Sequence, residues 1–154
     1  MNWLYRIKND ISKIPDAIDY YEGEYQEARK DLSFSVGTLE KNATRLPAVM
    51  EHVFTNLQHV ESILEYLNIQ LRKIRADVFR KYLENYQRAL KASDASKYVD
   101  GDDEVVSWSE LVNEFALVRN KYLSITKGLE QKGWMISHVT KLRCAGLEDI
   151  HIDD

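Results

Sequence analysis

Between Pro47 and about Lys91 the chain contains neither glycine nor a second proline. An unbroken helix over that stretch spans roughly 65 Å at 1.5 Å per residue, more than the core of one small domain covers. The apolar residues supply a means of burial. Val53, Leu57, Val60, Leu64, Leu67, Leu71, Ile74 and Val78 recur at alternating four- and three-residue intervals, a heptad seam held for almost four repeats. Leu57, Leu64, Leu71 and Val78 take the a positions, and Val53, Val60, Leu67 and Ile74 the d positions. Leucine at a with β-branched residues at several d positions favours assemblies of more than two strands. Phe54 and Ile63 flank the seam and widen it. After Val78 the repeat slips to Tyr82 and Tyr86, where a seam splays or hands over to other helices.

The rest of the chain reads as helical too. Six glycines and two prolines in 154 residues disfavour an all-β fold, which needs frequent turns. The predicted fold class is all-α, with long amphipathic, coiled-coil helices forming an oligomeric helical bundle. Residues 1–36 form an N-terminal helical unit. Trp3, Leu4, Ile7, Ile11 and Ile14 predict one helix over 2–14. Pro15 begins the next, on which Ile18, Tyr21, Tyr25, Ala28 and Leu32 share a face. Gly37 and Thr38 mark a break, with Thr38 as N-cap of a long helix over 38–91 that Pro47 either kinks or restarts. Residues 92–106 read as an acidic polar loop. Residues 107–146 form a C-terminal helical unit, with Leu111, Phe115, Val118, Tyr122, Ile125 and Leu129 on one face. Lys132-Gly133 predicts a helix end with Gly133 at positive φ. Trp134, Ile136, Val139 and Leu142 then predict a short last helix closed near Gly146, before an acidic tail over 147–154.

Chemistry-bearing motifs are few. Cys144 is the one cysteine, which excludes an internal disulfide and a zinc-finger pattern and points to a reducing interior. No apolar run reaches the roughly 18–20 residues that cross a bilayer. The N-terminus lacks the pattern of a signal peptide, so Asn42-Ala43-Thr44 is a glycosylation sequon by coincidence. Phosphate-binding glycine loops and nucleophile elbows are missing. His52 and His59 stand seven apart, without the paired spacing of a zinc protease. Glu148 and His151 make one Glu-x-x-His where a di-iron bundle needs two. Asp100, Asp102, Asp103 and Glu104 lack the ligand order of a calcium loop. Cys144 has no base located for it. The chain therefore reads as non-enzymatic, with no cofactor, no metal and no membrane association.

One segment stands out by charge. LNIQLRKIRADVFRKYLENYQRALK, residues 67–91, holds seven Lys or Arg and two acids in a chain of net charge −4. Two readings compete. Asp77 lies four residues from Lys73 and Lys81, and Glu84 four from Arg80 and Arg88, so the segment can be a salt-bridged solvent face with its aromatics in the core. Alternatively, the surplus positive charge is multiplied by oligomerisation into a band that holds the phosphates of single-stranded nucleic acid. Tyr82 or Tyr86 would then stand beside the band to stack bases.

The sequence resembles the UvsY-type recombination mediators of T-even-like phages over roughly residues 45–146. The likeness rests on the long helix ending in LRKIRADVFRKYLENY, on the acidic stretch SDASKYVDGDDE, and on SWSELVNEFALVRNKYLSITKGLEQKGWMISHVTKLRCAG. Within the last, a basic-Gly-aromatic step at Lys132-Gly133-Trp134 precedes Ile136, Val139 and Arg143 in the family's spacing. Residues 2–34 look like an extension of the family pattern, and the acidic stretch is shorter than the family's. The resemblance implies a non-enzymatic, all-helical homo-oligomer, a ring of six or seven subunits in the host cytoplasm. Such a protein binds single-stranded DNA and loads a RecA-like recombinase onto DNA covered by single-strand-binding protein. Carried over, the DNA contacts are Arg72, Lys73, Arg75, Arg80 and Lys81, with Tyr82 and Arg88 alongside from the helical pattern. Core and subunit contacts fall to Leu111, Phe115, Val118, Tyr122, Ile125, Trp134, Ile136 and Val139, with the a residues Leu57, Leu64, Leu71 and Val78. A different class remains open: a coiled-coil structural or adaptor protein, such as a phage assembly factor, an inhibitor or an antitoxin, without DNA binding.

Overall fold

The computed structural model describes residues 2–33, 38–85 and 92–147, all of it helices and short connections without a strand among them. Helix α1 covers Trp3–Asn9 and a 3₁₀ turn covers Ile11–Lys13. Helix α2 is Ile14–Lys30, α3 is Leu39–Asn85, α4 is Ala92–Asp100 and α5 is Asp103–Cys144.

The first expected helix is two pieces. Asp10 adopts extended backbone and ends α1, while its side chain accepts from the Ser12 amide at 3.0 Å and starts the 3₁₀ turn. Pro15 then sits in the first turn of α2, where its missing N–H costs nothing. The long helix is present. Thr38 caps it by accepting from the Lys41 amide at 3.2 Å, and α3 runs through the exposed Pro47 without ending.

Helix α5 lies antiparallel along α3: Val105 packs with Val78 at one end, and Lys132 bonds Asn42 at the other. Helix α2 runs antiparallel to α3, with Arg45 3.1 Å from Asp31 and His52 2.8 Å from Glu24. It also packs on α5, where Tyr21 and Tyr122 meet edge to face with centroids 6.3 Å apart. The result is a three-helix core of Tyr21, Val53, Leu57, Val60, Phe115, Tyr122, Ile125 and Leu129, with Trp3 and Ile7 of α1 closing one side. The Tyr122 hydroxyl donates to the Tyr21 carbonyl at 2.9 Å. Burial, reinforced by Glu24 and the neighbouring tyrosines, holds the Tyr122 phenol well above its ordinary range. Burial likewise raises Tyr21.

Three boundaries depart from expectation, each for a packing reason. Residues 92–106 are not a loop. Ala95 and Val99, one helical turn apart, are buried and draw 92–100 into α4, and Asp102 caps α5 by accepting from the Glu104 amide. Gly133 does not end a helix. A Cβ there would stand 3.3 Å from Leu46 Cδ2, so the glycine serves the close approach of α5 to α3. The positive φ falls instead at Gly146, where the Leu147 amide donates to the Leu142 carbonyl at 3.0 Å and closes α5 in a Schellman turn.

The heptad stripe is buried inside one chain. Val53, Leu57, Val60, Leu64, Leu67 and Val78 are covered, and Leu71 and Ile74 are half-buried. An antiparallel helix of the same chain offers a matching stripe without the entropy cost of bringing two chains together. Leu57, Leu64, Val78, Phe115, Val118, Tyr122 and Ile125, expected at core and subunit contacts, are buried within this one chain. Leu71, Leu111, Ile136 and Val139 are half-buried, and Trp134 is 66% exposed.

Candidate nucleic-acid interface

The basic residues occupy the half of α3 that α2 does not reach. There α3 packs against α4 and the first turns of α5 through a small cluster of Val78, Val99 and Val105, with Leu71, Ile74, Phe79 and Tyr82 around it. The helix repeat sets Arg72, Lys73 and Arg80 on the outward side, all exposed. Lys81 lies on one flank, also exposed, and Arg75 on the other, half-buried and turned toward α4.

Their charge is partly compensated. Arg72 Nη2 donates to Glu65 Oε1 at 3.1 Å, and Arg80 Nη2 lies 3.8 Å from Asp77 Oδ1. Arg75 Nη2 donates to Asp100 Oδ1 at 2.5 Å. Lys73 and Lys81 form no ion pair among the described residues. Asp77 thus pairs three residues away rather than four, and Arg72 reaches back two turns. All these pairs stand in solvent, where each is worth about 0–1 kcal/mol and is screened by salt. They leave the strip available to a multivalent anion. Tyr86, Arg88 and Lys91 lie outside the described residues.

Tyr82 is half-buried and engaged. Its hydroxyl donates to Asp102 Oδ2 at 3.3 Å, and its ring stacks on Tyr98 with centroids 5.7 Å apart at 29°. Tyr98, from α4, is the more exposed ring of the pair, at 47%. Sequence reasoning missed Tyr98 because its segment was read as a loop. The signal was the Ala95–Val99 spacing, one turn of the same short helix.

Other features offer less chemistry. His52 bonds Glu24, and His59 lines a cleft of about 340 Å³ with Asn2, Trp3, Leu4, Tyr21 and Ser62. Among the described residues no group of three His, Cys, Asp or Glu is arranged to hold a metal ion. Glu148 and His151 lie outside them. Asn42 is buried, donates to the Thr38 carbonyl and accepts from Lys132, which suits a structural side chain and not a glycosylation site. Cys144 is exposed. No described helix is long and apolar enough to cross a membrane.

No protein-family model, curated protein or solved structure matches the chain.

Proposed function

We propose that this chain is a non-enzymatic recombination mediator. It binds single-stranded DNA along the outward side of α3 and, as a homo-oligomer, loads a RecA-like recombinase onto DNA covered by single-strand-binding protein. The carrying observation is the strip of Arg72, Lys73, Arg80 and Lys81, exposed on an otherwise acidic protein and tied only by ion pairs that solvent weakens. The recombinase and single-strand-binding protein enter through the resemblance to UvsY-type mediators. Since the heptad stripe is spent internally, assembly falls to the exposed end of α5, where Trp134, Met135 and Leu142 face solvent. The test is Lys73→Ala, Arg75→Ala and Arg80→Ala combined. The triple variant is expected to keep its helicity and to lose affinity for oligo-dT at low salt; equal binding by variant and parent overturns the site.

A second reading is favoured by the pairing of Arg72, Arg75 and Arg80 with Glu65, Asp100 and Asp77. On it the strip is a salt-bridged solvent face, and the protein is an adaptor that brings partners together without DNA. Absence of oligo-dT binding at micromolar protein and low salt selects this reading.

A further inference from the structure

Arg75 differs from the other basic residues in where its partner comes from. Arg72 and Arg80 pair with acids of α3 itself, and those pairs move with the helix. Arg75 is held by Asp100, the last residue of α4. Two turns further along α3, Tyr82 is held by Asp102, in the link between α4 and α5. Two carboxylates from outside α3 therefore sit on a cation and a hydroxyl donor at the flank of the basic strip. A carboxylate and a phosphodiester present the same kind of anionic oxygen to a guanidinium.

We propose that Asp100 occupies a phosphate position: Arg75 is a nucleic-acid ligand held in reserve, and α4 competes with single-stranded DNA for it. The inference rests on the DNA-binding reading and adds its regulation. The attachment of α4 suits such exchange. Besides the Arg75–Asp100 pair, the described apolar contacts joining it to α3 and α5 centre on Val78, Val99 and Val105, with Ala95 also buried, far less apolar burial than the main core provides. Elements with little buried apolar contact are the ones that open at low cost. When DNA takes Arg75, the freed Asp100 repels the backbone, so α4 must shift. Its displacement also uncovers the Tyr82 ring now stacked on Tyr98.

The competition makes a non-additive prediction. In the parent, Arg75 is already neutralised, so Arg75→Ala changes oligo-dT affinity little. Asp100→Asn releases it and raises affinity about threefold to fivefold at low salt, the scale of one exposed ion pair. Asp103→Asn removes the same charge from a neighbouring exposed acid that forms no ion pair among the described residues, and serves as control. The expected result is a larger gain for Asp100→Asn than for Asp103→Asn, with the excess abolished when Arg75→Ala is added. Equal gains from the two asparagine variants, or an excess that survives Arg75→Ala, overturn the competition while leaving DNA binding intact. If neither the parent nor any variant binds oligo-dT, the DNA-binding reading itself falls and takes this one with it.

Discussion

Lys132 Nζ lies 2.6 Å from Asn42 Oδ1, and the two buried side chains fasten the late part of α5 to the first turn of α3. The same ammonium donates to the Asp31 carbonyl at 2.6 Å and the Ser33 carbonyl at 3.0 Å, just past the end of α2. Its three donors thus meet three acceptors at the negative end of a helix. Burial pulls the Lys132 pKa down, with the Asp31 carboxylate opposing that shift and Arg45 adding to it. Replacing Lys132 with Met strands three acceptors from two segments. The expected loss is about 3 kcal/mol in urea unfolding; a loss below about 1 kcal/mol would show that these bonds are readily replaced by water.

A core shared within one chain and a core shared between chains respond differently to dilution. Leu57→Ala is expected to cost about 3 kcal/mol, as for a buried leucine, and the same amount at every protein concentration. Trp134→Ala is expected to leave stability within about 0.5 kcal/mol and to reduce assembly. A concentration-dependent midpoint that Leu57→Ala abolishes would return the heptad stripe to the subunit interface.

Tyr21 and Tyr122 are held neutral in the core, their folded pKa values raised above the unfolded value of about 10. For an acid raised in this way, the stabilisation is complete below the unfolded value and is lost as pH climbs through the folded one. Stability should therefore be flat with respect to these groups at neutral pH and fall above about pH 10. Tyr122→Phe is expected to cost about 1 kcal/mol at pH 7 through the lost bond to the Tyr21 carbonyl. It should also shallow the alkaline decline, read by urea unfolding at several pH values. An unchanged alkaline slope would show that other groups set it.

The periodic parts of the fold were legible. The four-three spacing from Val53 to Val78 marked the buried face of α3, and that from Leu111 to Leu129 marked the face of α5 that meets it. What the spacing does not carry is the identity of the partner, because a heptad stripe is satisfied equally by another copy or by an antiparallel helix of its own chain. Lys132 continues the α5 pattern, three residues after Leu129. A lysine in that register is the signal for a buried cation with backbone acceptors, and a reading based on apolar residues passes over it. Helix α4 was hidden by composition: serines and aspartates dominate its exposed side, and its apolar face is one alanine and one valine. At the candidate site, the outward set of Arg72, Lys73 and Arg80 followed from the helix repeat. The diversion of Arg75 to Asp100 and of Tyr82 to Tyr98 and Asp102 depends on a tertiary contact that no local pattern encodes.

The most direct test is light scattering during gel filtration, with and without labelled oligo-dT. The account predicts a species several times the 18.0 kDa of one chain that carries the label at low salt and releases it as salt rises, with a logarithmic slope of about −0.7 for each phosphate contacted. An 18.0 kDa species eluting apart from the oligonucleotide at low salt would contradict it.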